Sequence, residues 1–197
     1  LRHIESTGWV EIDDWEDFTI YSSLSEIRLR VSPELIKPIT REINAKFTVG
    51  SFDIEAYSST GLFPDPKVNG DCVFQIAFTL CKLGETEIYD KTCLCYPKTS
   101  DVSDGTIISY ESEADLLIGF RDYINEHQID ILTGWNIYGF DMKYIWERAN
   151  LLGIIDEFSK LGRYLNINAT LIEKNLSSSA LGDNIFYILK IPGVFTF

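Results

Sequence analysis

The sequence predicts an α/β domain, a mixed sheet with flanking helices. Three observations carry that expectation. Strand-like runs follow one another with short links from Lys46 to Tyr96. Two helical periodicities, one starting at Ser112 and one near Phe140, bracket a short apolar run, Ile129–Trp135. The first of the strands, within KFTVGSFDIEAY, carries two carboxylates two positions apart, Asp53 and Glu55. On a strand that spacing puts both acids on one face.

Residues 1–45 are a poor fit to an independent domain. Strand-like stretches occur at Trp9–Ile12, Phe18–Tyr21 and Ile27–Val31, with an acidic patch from Glu11 to Asp17 between the first two. Ser32-Pro33 to Pro38 reads as a turn-rich connector. The main domain begins with a strand over Lys46–Glu55, in which Phe47, Val49, Phe52 and Ile54 supply apolar alternation. A loop dense in Gly, Pro, Ser and Asn follows, SSTGLFPDPKVNG. Cys72–Cys81 is nearly continuously apolar, which predicts a strand buried on both faces. Leu83-Gly84-Glu85 makes a turn, and a third strand over Thr86–Tyr96 completes an antiparallel meander.

Ser112 with Asp115 three residues on is a capping-box-like helix start. Leu116, Leu117, Phe120, Tyr123 and Ile124 form the apolar stripe of that helix. Ile129–Trp135 is a short buried strand and Asn136–Gly139 a turn. The second helix shows Met142, Ile145, Ala149 and Leu152 on one side, with Gly153 as its stop. Three meander strands, helix, strand, helix is the order of a ribonuclease-H-like fold, in which the fourth strand lies parallel beside the first. That fold is incomplete at the C-terminus here. After Gly153 the segments ATLIEKNL, SSSALGDN and IFYILKI predict an inserted β-hairpin.

Side-by-side charges at the end of a central strand are costly unless something compensates them. A divalent cation would do so. Asp141 is the third candidate ligand, because a turn after the fourth strand delivers it to the end of the first. Three hard-oxygen ligands imply Mg2+ or Mn2+. Two ions roughly 4 Å apart would then activate water and stabilise a leaving 3′ oxygen. Each residue also has an ordinary role. Asp14-Trp15-Glu16 has the same Asp-x-Glu spacing and receives no function. An Asp at a helix start complements the macrodipole, Asn136 is a turn former, and Phe140 is a core residue. Their combination at these positions is what points to a site.

SFDIEAYSSTGLFPDP, followed by the second strand and then TGWNIYGFDMKYIWERANLLG, resembles the first and second exonuclease motifs of family B DNA polymerases of the delta type, found in large DNA viruses and eukaryotes. Phe158–Arg163 and Ser178–Tyr187 continue the likeness, which covers residues 46–197 well and the TGWVEI region more weakly. The resemblance implies a proofreading 3′→5′ exonuclease domain over 46–197, preceded at 1–45 by part of an N-terminal polymerase domain. It implies Asp53, Glu55 and Asp141 as metal-binding catalytic acids. Asn136 and Phe140 would shape the pocket for a frayed 3′ end, where aromatic rings suit unpaired bases. The predicted hairpin matches one that helps move the primer between polymerase and exonuclease sites. The implied partners are the single-stranded 3′ end of the primer, the remaining polymerase domains and a processivity factor. The implied location is intracellular, in a nucleus or at a viral replication site. The family's third exonuclease motif, a Tyr followed four residues later by an Asp, is expected downstream of PGVFTF; Tyr187 has Ile191 in that position. On its own, this stretch is therefore expected to be inactive. Competing readings are a binding or bracing module with idle carboxylates, and a free-standing exonuclease of the same superfamily.

Bulk properties set limits on these readings. Acids outnumber bases 30 to 17, for a net charge of −13, which argues against binding nucleic acid by bulk phosphate neutralisation. In a polymerase, basic regions elsewhere would make most phosphate contacts. Cys72, Cys81, Cys93 and Cys95 form no Cys-x-x-Cys pair, and His3 and His127 are not spaced to join them in a zinc site. No apolar run is long enough to span a membrane.

Overall fold

The computed structural model describes residues 7–178 and 182–197, with side chains described for all of these except 176–178 and 182–184. Its centre is a mixed six-stranded sheet. The strands are β5 (Thr48–Ala56), β6 (Val73–Lys82), β7 (Ile88–Cys95), β8 (Thr106–Ser109), β9 (Ile131–Thr133) and β12 (Phe195–Thr196), in the order β12-β9-β5-β6-β7-β8. The antiparallel meander of β5, β6 and β7 is as expected, and β9 lies parallel to β5. β8, four residues parallel to β7, is an addition to the predicted set.

The faces of β5 differ from the expected alternation. Thr48, Gly50, Phe52 and Ile54 point inward. Phe47 and Val49 are in phase with Asp53 and Glu55, not with Phe52 and Ile54, so Phe47 lies exposed. In β6 the core takes Val73, Ile76, Phe78 and Leu80, while the other face is only half covered and leaves Ala77 exposed. Burial on both faces is thus corrected to burial on one. A continuous apolar run here reflects a sheet whose second face is partly shielded, not a sandwiched strand.

Helix α1 (Glu113–Glu126) starts where predicted. Ser112 Oγ accepts from the Asp115 amide at 3.1 Å, and the five stripe residues from Leu116 to Ile124 are all buried. Phe120 meets Phe52 edge-on at 5.2 Å, and Tyr123 stacks on Phe78 at 4.4 Å, so the strand bearing the two acids is fastened to α1 by aromatic packing. Helix α2 (Asp141–Leu151) buries Met142, Ile145 and Ala149 and ends at Gly153, whose φ of 71° suits glycine. A one-turn helix, α3 (Ile155–Phe158), closes this layer over the same core.

Beyond the sheet, β10 (Thr170–Ser178) and β11 (Gly182–Lys190) pair antiparallel as a separate ribbon. The turn expected between them falls on residues 179–181, outside the described residues. The N-terminal stretch is divided into strands differently from the expectation. β1 (Trp9–Ile12) is where predicted, but its partner β4 (Ile36–Ile39) occupies the second half of the expected connector. Pro38 is tolerated there because the ribbon has only two strands. Phe18–Tyr21 is not a strand; the second small ribbon is β2 (Glu16–Asp17) with β3 (Leu29–Arg30). A strap at residues 22–24 ties this region to the main body, through Leu24 N–H to Arg163 O (2.8 Å) and Leu165 N–H to Ser22 O (3.1 Å).

Candidate active site

The site forms where one strand stops and its neighbour continues. β9 pairs with β5 only through Val49, Gly50 and Ser51, then ends at Thr133. Gly134 turns the chain away in close contact with β5: a Cβ there would lie 2.3 Å from the Phe52 carbonyl oxygen, so no other residue fits without movement. Asn136 adopts φ of 55°, and its carbonyl accepts from the amides of Gly139 and Phe140. The chain then starts α2 at Asp141. The Asp141 carboxylate returns to the edge that β9 has vacated and accepts from the Ile54 amide at 3.2 Å. A ladder bond lost when β9 ends is thus replaced by a side chain 87 residues away.

Asp53 and Glu55 flank Ile54 on the open face of the sheet, and both are exposed. Asp141 is 3% exposed. Burial pushes its carboxyl pKa up to about 6; its own amide and that of Ile54 oppose the shift, and the negative charges of Asp53 and Glu55 add to it. Both exposed acids therefore act electrostatically on Asp141. The nearest basic residues of α2 are engaged elsewhere, Lys143 with Glu147 and Arg148 with Glu113. Among the described residues, however, no group of three or more His, Cys, Asp or Glu is arranged to hold a metal ion. The Asp141 carboxylate meets β5 at Ile54, between Asp53 and Glu55 in sequence, and among the described residues the three acids do not close into a ligand cage. Their chemistry suits a hard divalent cation: carboxylate oxygens only, one of them buried and poorly compensated.

Asn136 is exposed, and its visible task is the left-handed turn. Phe140 is the N-cap residue of α2, half-buried, with its ring 5.0 Å from Tyr144 and 5.3 Å from Phe63. Phe63 escaped the sequence reading. The signal was present as an aromatic residue inside a Gly- and Pro-rich loop directly after the two acids. That loop is held firmly at its base. The Asp71 carboxylate accepts from Ser59 N, Ser59 Oγ and Asp65 N at 2.6–2.9 Å, bonds that keep its pKa low. Tyr144 Oη donates to Asp71 O, and Arg148 Nη1 donates to the carbonyls of Pro66 and Val68. Trp135, beside the turn, is 90% exposed.

Comparison with known proteins gives a consistent result. The family model for the exonuclease domain of DNA polymerase family B matches residues 1–197. A DNA polymerase of Paramecium bursaria Chlorella virus NY2A is 31% identical over 202 residues, covering 98% of this chain and 22% of that protein. The DNA polymerase delta catalytic subunit of Oryza sativa subsp. japonica is 36% identical over 138 residues, 70% of this chain and 12% of that subunit. The corresponding subunit of Dictyostelium discoideum is 30% identical over 195 residues, 98% of this chain and 17% of that subunit. The chain thus spans less than a quarter of the length of each of these relatives.

Proposed function

The chain belongs to the exonuclease domain family of family B DNA polymerases, and from that premise we propose that it is the proofreading 3′→5′ exonuclease portion of a longer DNA polymerase. The observation that carries this reading is the return of Asp141 to β5 between Asp53 and Glu55. We assign residues 46–197 to a ribonuclease-H-like exonuclease domain, with the β10–β11 ribbon as its inserted hairpin. Residues 1–45 are assigned to the N-terminal polymerase domain, in keeping with their separate two-stranded ribbons.

In this reading Asp53, Glu55 and Asp141 hold two Mg2+ or Mn2+ ions. When bound, such ions supply positive charge and Lewis acidity at the scissile phosphate. The protein's own share is positional. Aromatic packing of Phe52 on α1 fixes the strand that carries Asp53 and Glu55. The Ile54 amide orients the Asp141 carboxylate, and its burial keeps a proton-accepting oxygen out of bulk water. Asn136 sets the turn, and Phe140 offers a ring on which an unpaired 3′ base stacks. The partners are the single-stranded primer end, the other polymerase domains and a processivity factor, at a nuclear or viral replication site. Among the described residues no helix is long and apolar enough to cross a membrane.

The test uses the complete polymerase chain. Asp53→Ala with Glu55→Ala should abolish removal of a mismatched 3′ nucleotide and leave nucleotide addition near the wild-type rate. Undiminished excision would show that the site is misassigned.

A further inference from the structure

Cys93 and Cys95 stand two positions apart on β7, with their Sγ atoms 3.5 Å from each other. They lie opposite Ala77 and Gln75 of β6, which in turn lie opposite Asp53 and Glu55 of β5. Residues directly opposite on neighbouring strands share a face, so the thiols and the two exposed acids are on the same side of the sheet. One part of this face carries hard oxygen donors, and two strands away it carries soft sulfur donors.

The spacing decides what the thiol pair can do. Same-face neighbours on a strand are about 6.6 Å apart, whereas a disulfide needs Cβ atoms about 3.5–4.5 Å apart. The extended backbone thus holds the two sulfurs short of a bond. A single atom bonded to both fits better. With bonds of about 2.3 Å, the thiolate–zinc length, sulfurs 3.5 Å apart subtend about 100° at that atom. A linear two-coordinate ion would need them about 4.6 Å apart. A structural zinc ion takes four ligands, and among the described residues no group of three or more His, Cys, Asp or Glu is arranged to hold a metal ion. What remains is a bent centre satisfied by two thiols. Trivalent arsenic with one carbon substituent is such a centre. Protonation agrees with this choice. Burial, together with the neighbouring Cys95 thiol, pushes the Cys93 pKa up to about 12. Metal cations need thiolates, which this pair resists giving. An arsenic oxide brings the oxygen that takes up both thiol protons.

We propose that Cys93 and Cys95 form a dithiol site for trivalent organoarsenicals, closed along one strand and separate from the carboxylates. Two arsenic–sulfur bonds form and the arsenic–oxygen double bond breaks. The two thiol protons leave with that oxygen as one water, and no atom changes oxidation state. Half-buried Cys93 is the point of entry, and buried Cys95 closes the ring. The site stands whether or not the acids serve an exonuclease.

The test exposes the reduced, complete polymerase chain to phenylarsine oxide over a range of concentrations. Excess reagent is removed, and the chain is unfolded, alkylated with iodoacetamide and digested with trypsin. Lys91 and Lys98 bracket a peptide, Thr92–Lys98, that carries both cysteines and no other. This peptide should escape alkylation at both cysteines together, with one phenylarsine bound, while Cys72 and Cys81 are alkylated. Addition of 2,3-dimercaptopropanol should reverse the protection, an equal concentration of 2-mercaptoethanol should not, and excess Mg2+ should leave it unchanged. Cys93→Ser should raise the half-saturating concentration, read at Cys95, at least about a hundredfold, the low end of the gain from linking two binding groups. Nucleotide addition at the wild-type rate confirms that the variant folds. Protection of one cysteine alone, equal reversal by the monothiol, or an unchanged half-saturating concentration in Cys93→Ser would overturn the inference. So would ready formation of a Cys93–Cys95 disulfide with the oxidant diamide, since the strand would then not hold the sulfurs apart.

Discussion

Glu113 and Asp141 are built alike. Each is the first residue of a helix, each is buried, and each accepts a backbone amide from a sheet strand, Val73 N–H for Glu113 (2.8 Å) and Ile54 N–H for Asp141 (3.2 Å). They differ in what faces them. Glu113 takes two bonds from the Arg148 guanidinium, Nε to Oε1 at 2.8 Å and Nη2 to Oε2 at 2.5 Å. Asp141 faces the negative charges of Asp53 and Glu55. The same local device thus makes a closed ion pair in one place and an uncompensated acid in the other. A buried charge that the fold neutralises is structural; one that the fold leaves facing like charges is kept for something else.

The largest expected effect breaks the balanced member. Arg148→Met strands Glu113 and the carbonyls of Pro66 and Val68, and should cost about 3–5 kcal/mol in denaturant unfolding. Adding Glu113→Gln should recover part of that loss, because the buried charge goes with its partner. A flat response to Arg148→Met would mean that the pair is not what holds the loop base.

The second effect has the opposite sign. The Asp141 carboxyl has a pKa of about 6 in the fold, raised above the unfolded value of about 3.9. Between these values the folded state binds more protons, so this group makes stability fall as pH rises, and the penalty is complete above the folded pKa. Without divalent ions, Asp141→Asn should therefore stabilise the fold at pH 7 by about 1–2 kcal/mol. It should also remove this group's share of the slope between about pH 4 and pH 6. Melting curves of both proteins in a chelating buffer check this, and a destabilised Asp141→Asn would refute it.

The smallest effect concerns how the two helices begin. Ser112 caps α1 through the Asp115 amide, whereas Phe140 makes no side-chain cap bond at the start of α2. Ser112→Ala should cost about 1 kcal/mol. Phe140→Ala should cost α2 no capping bond and weaken single-strand binding instead, read by oligonucleotide affinity in the complete chain.

The two regions were also unequally legible in the sequence. Asp53 and Glu55 stand out because a period of two puts charges on a strand, and Asp141 because a turn signal precedes a helix start. Both are local patterns. The Glu113–Arg148 pair spans 35 residues, and each member taken alone looks like a first-turn acid or a solvent-facing cation. Strand phase was misread at Phe47 and Val49 because apolar residues lie on both sides of Gly50, and only packing decides which set is inside. β4 was hidden by the prolines at 33 and 38, and β8 by its four-residue length. The meander of β5, β6 and β7 and both main helices followed from element order and periodicity, and the parallel β5–β9 pair from the expected fold, while β8 and β12 were not foreseen.

The central claim is that the uncompensated acids are reserved for divalent cations and the compensated one is not. Calorimetric titration of the complete polymerase chain with Mn2+ tests it most directly. Asp141→Asn should weaken the exonuclease-site binding by at least about tenfold, the scale of one lost ligand interaction, while Glu113→Gln with Arg148→Met should leave it at wild-type strength. Equal binding by wild type and Asp141→Asn would contradict the account.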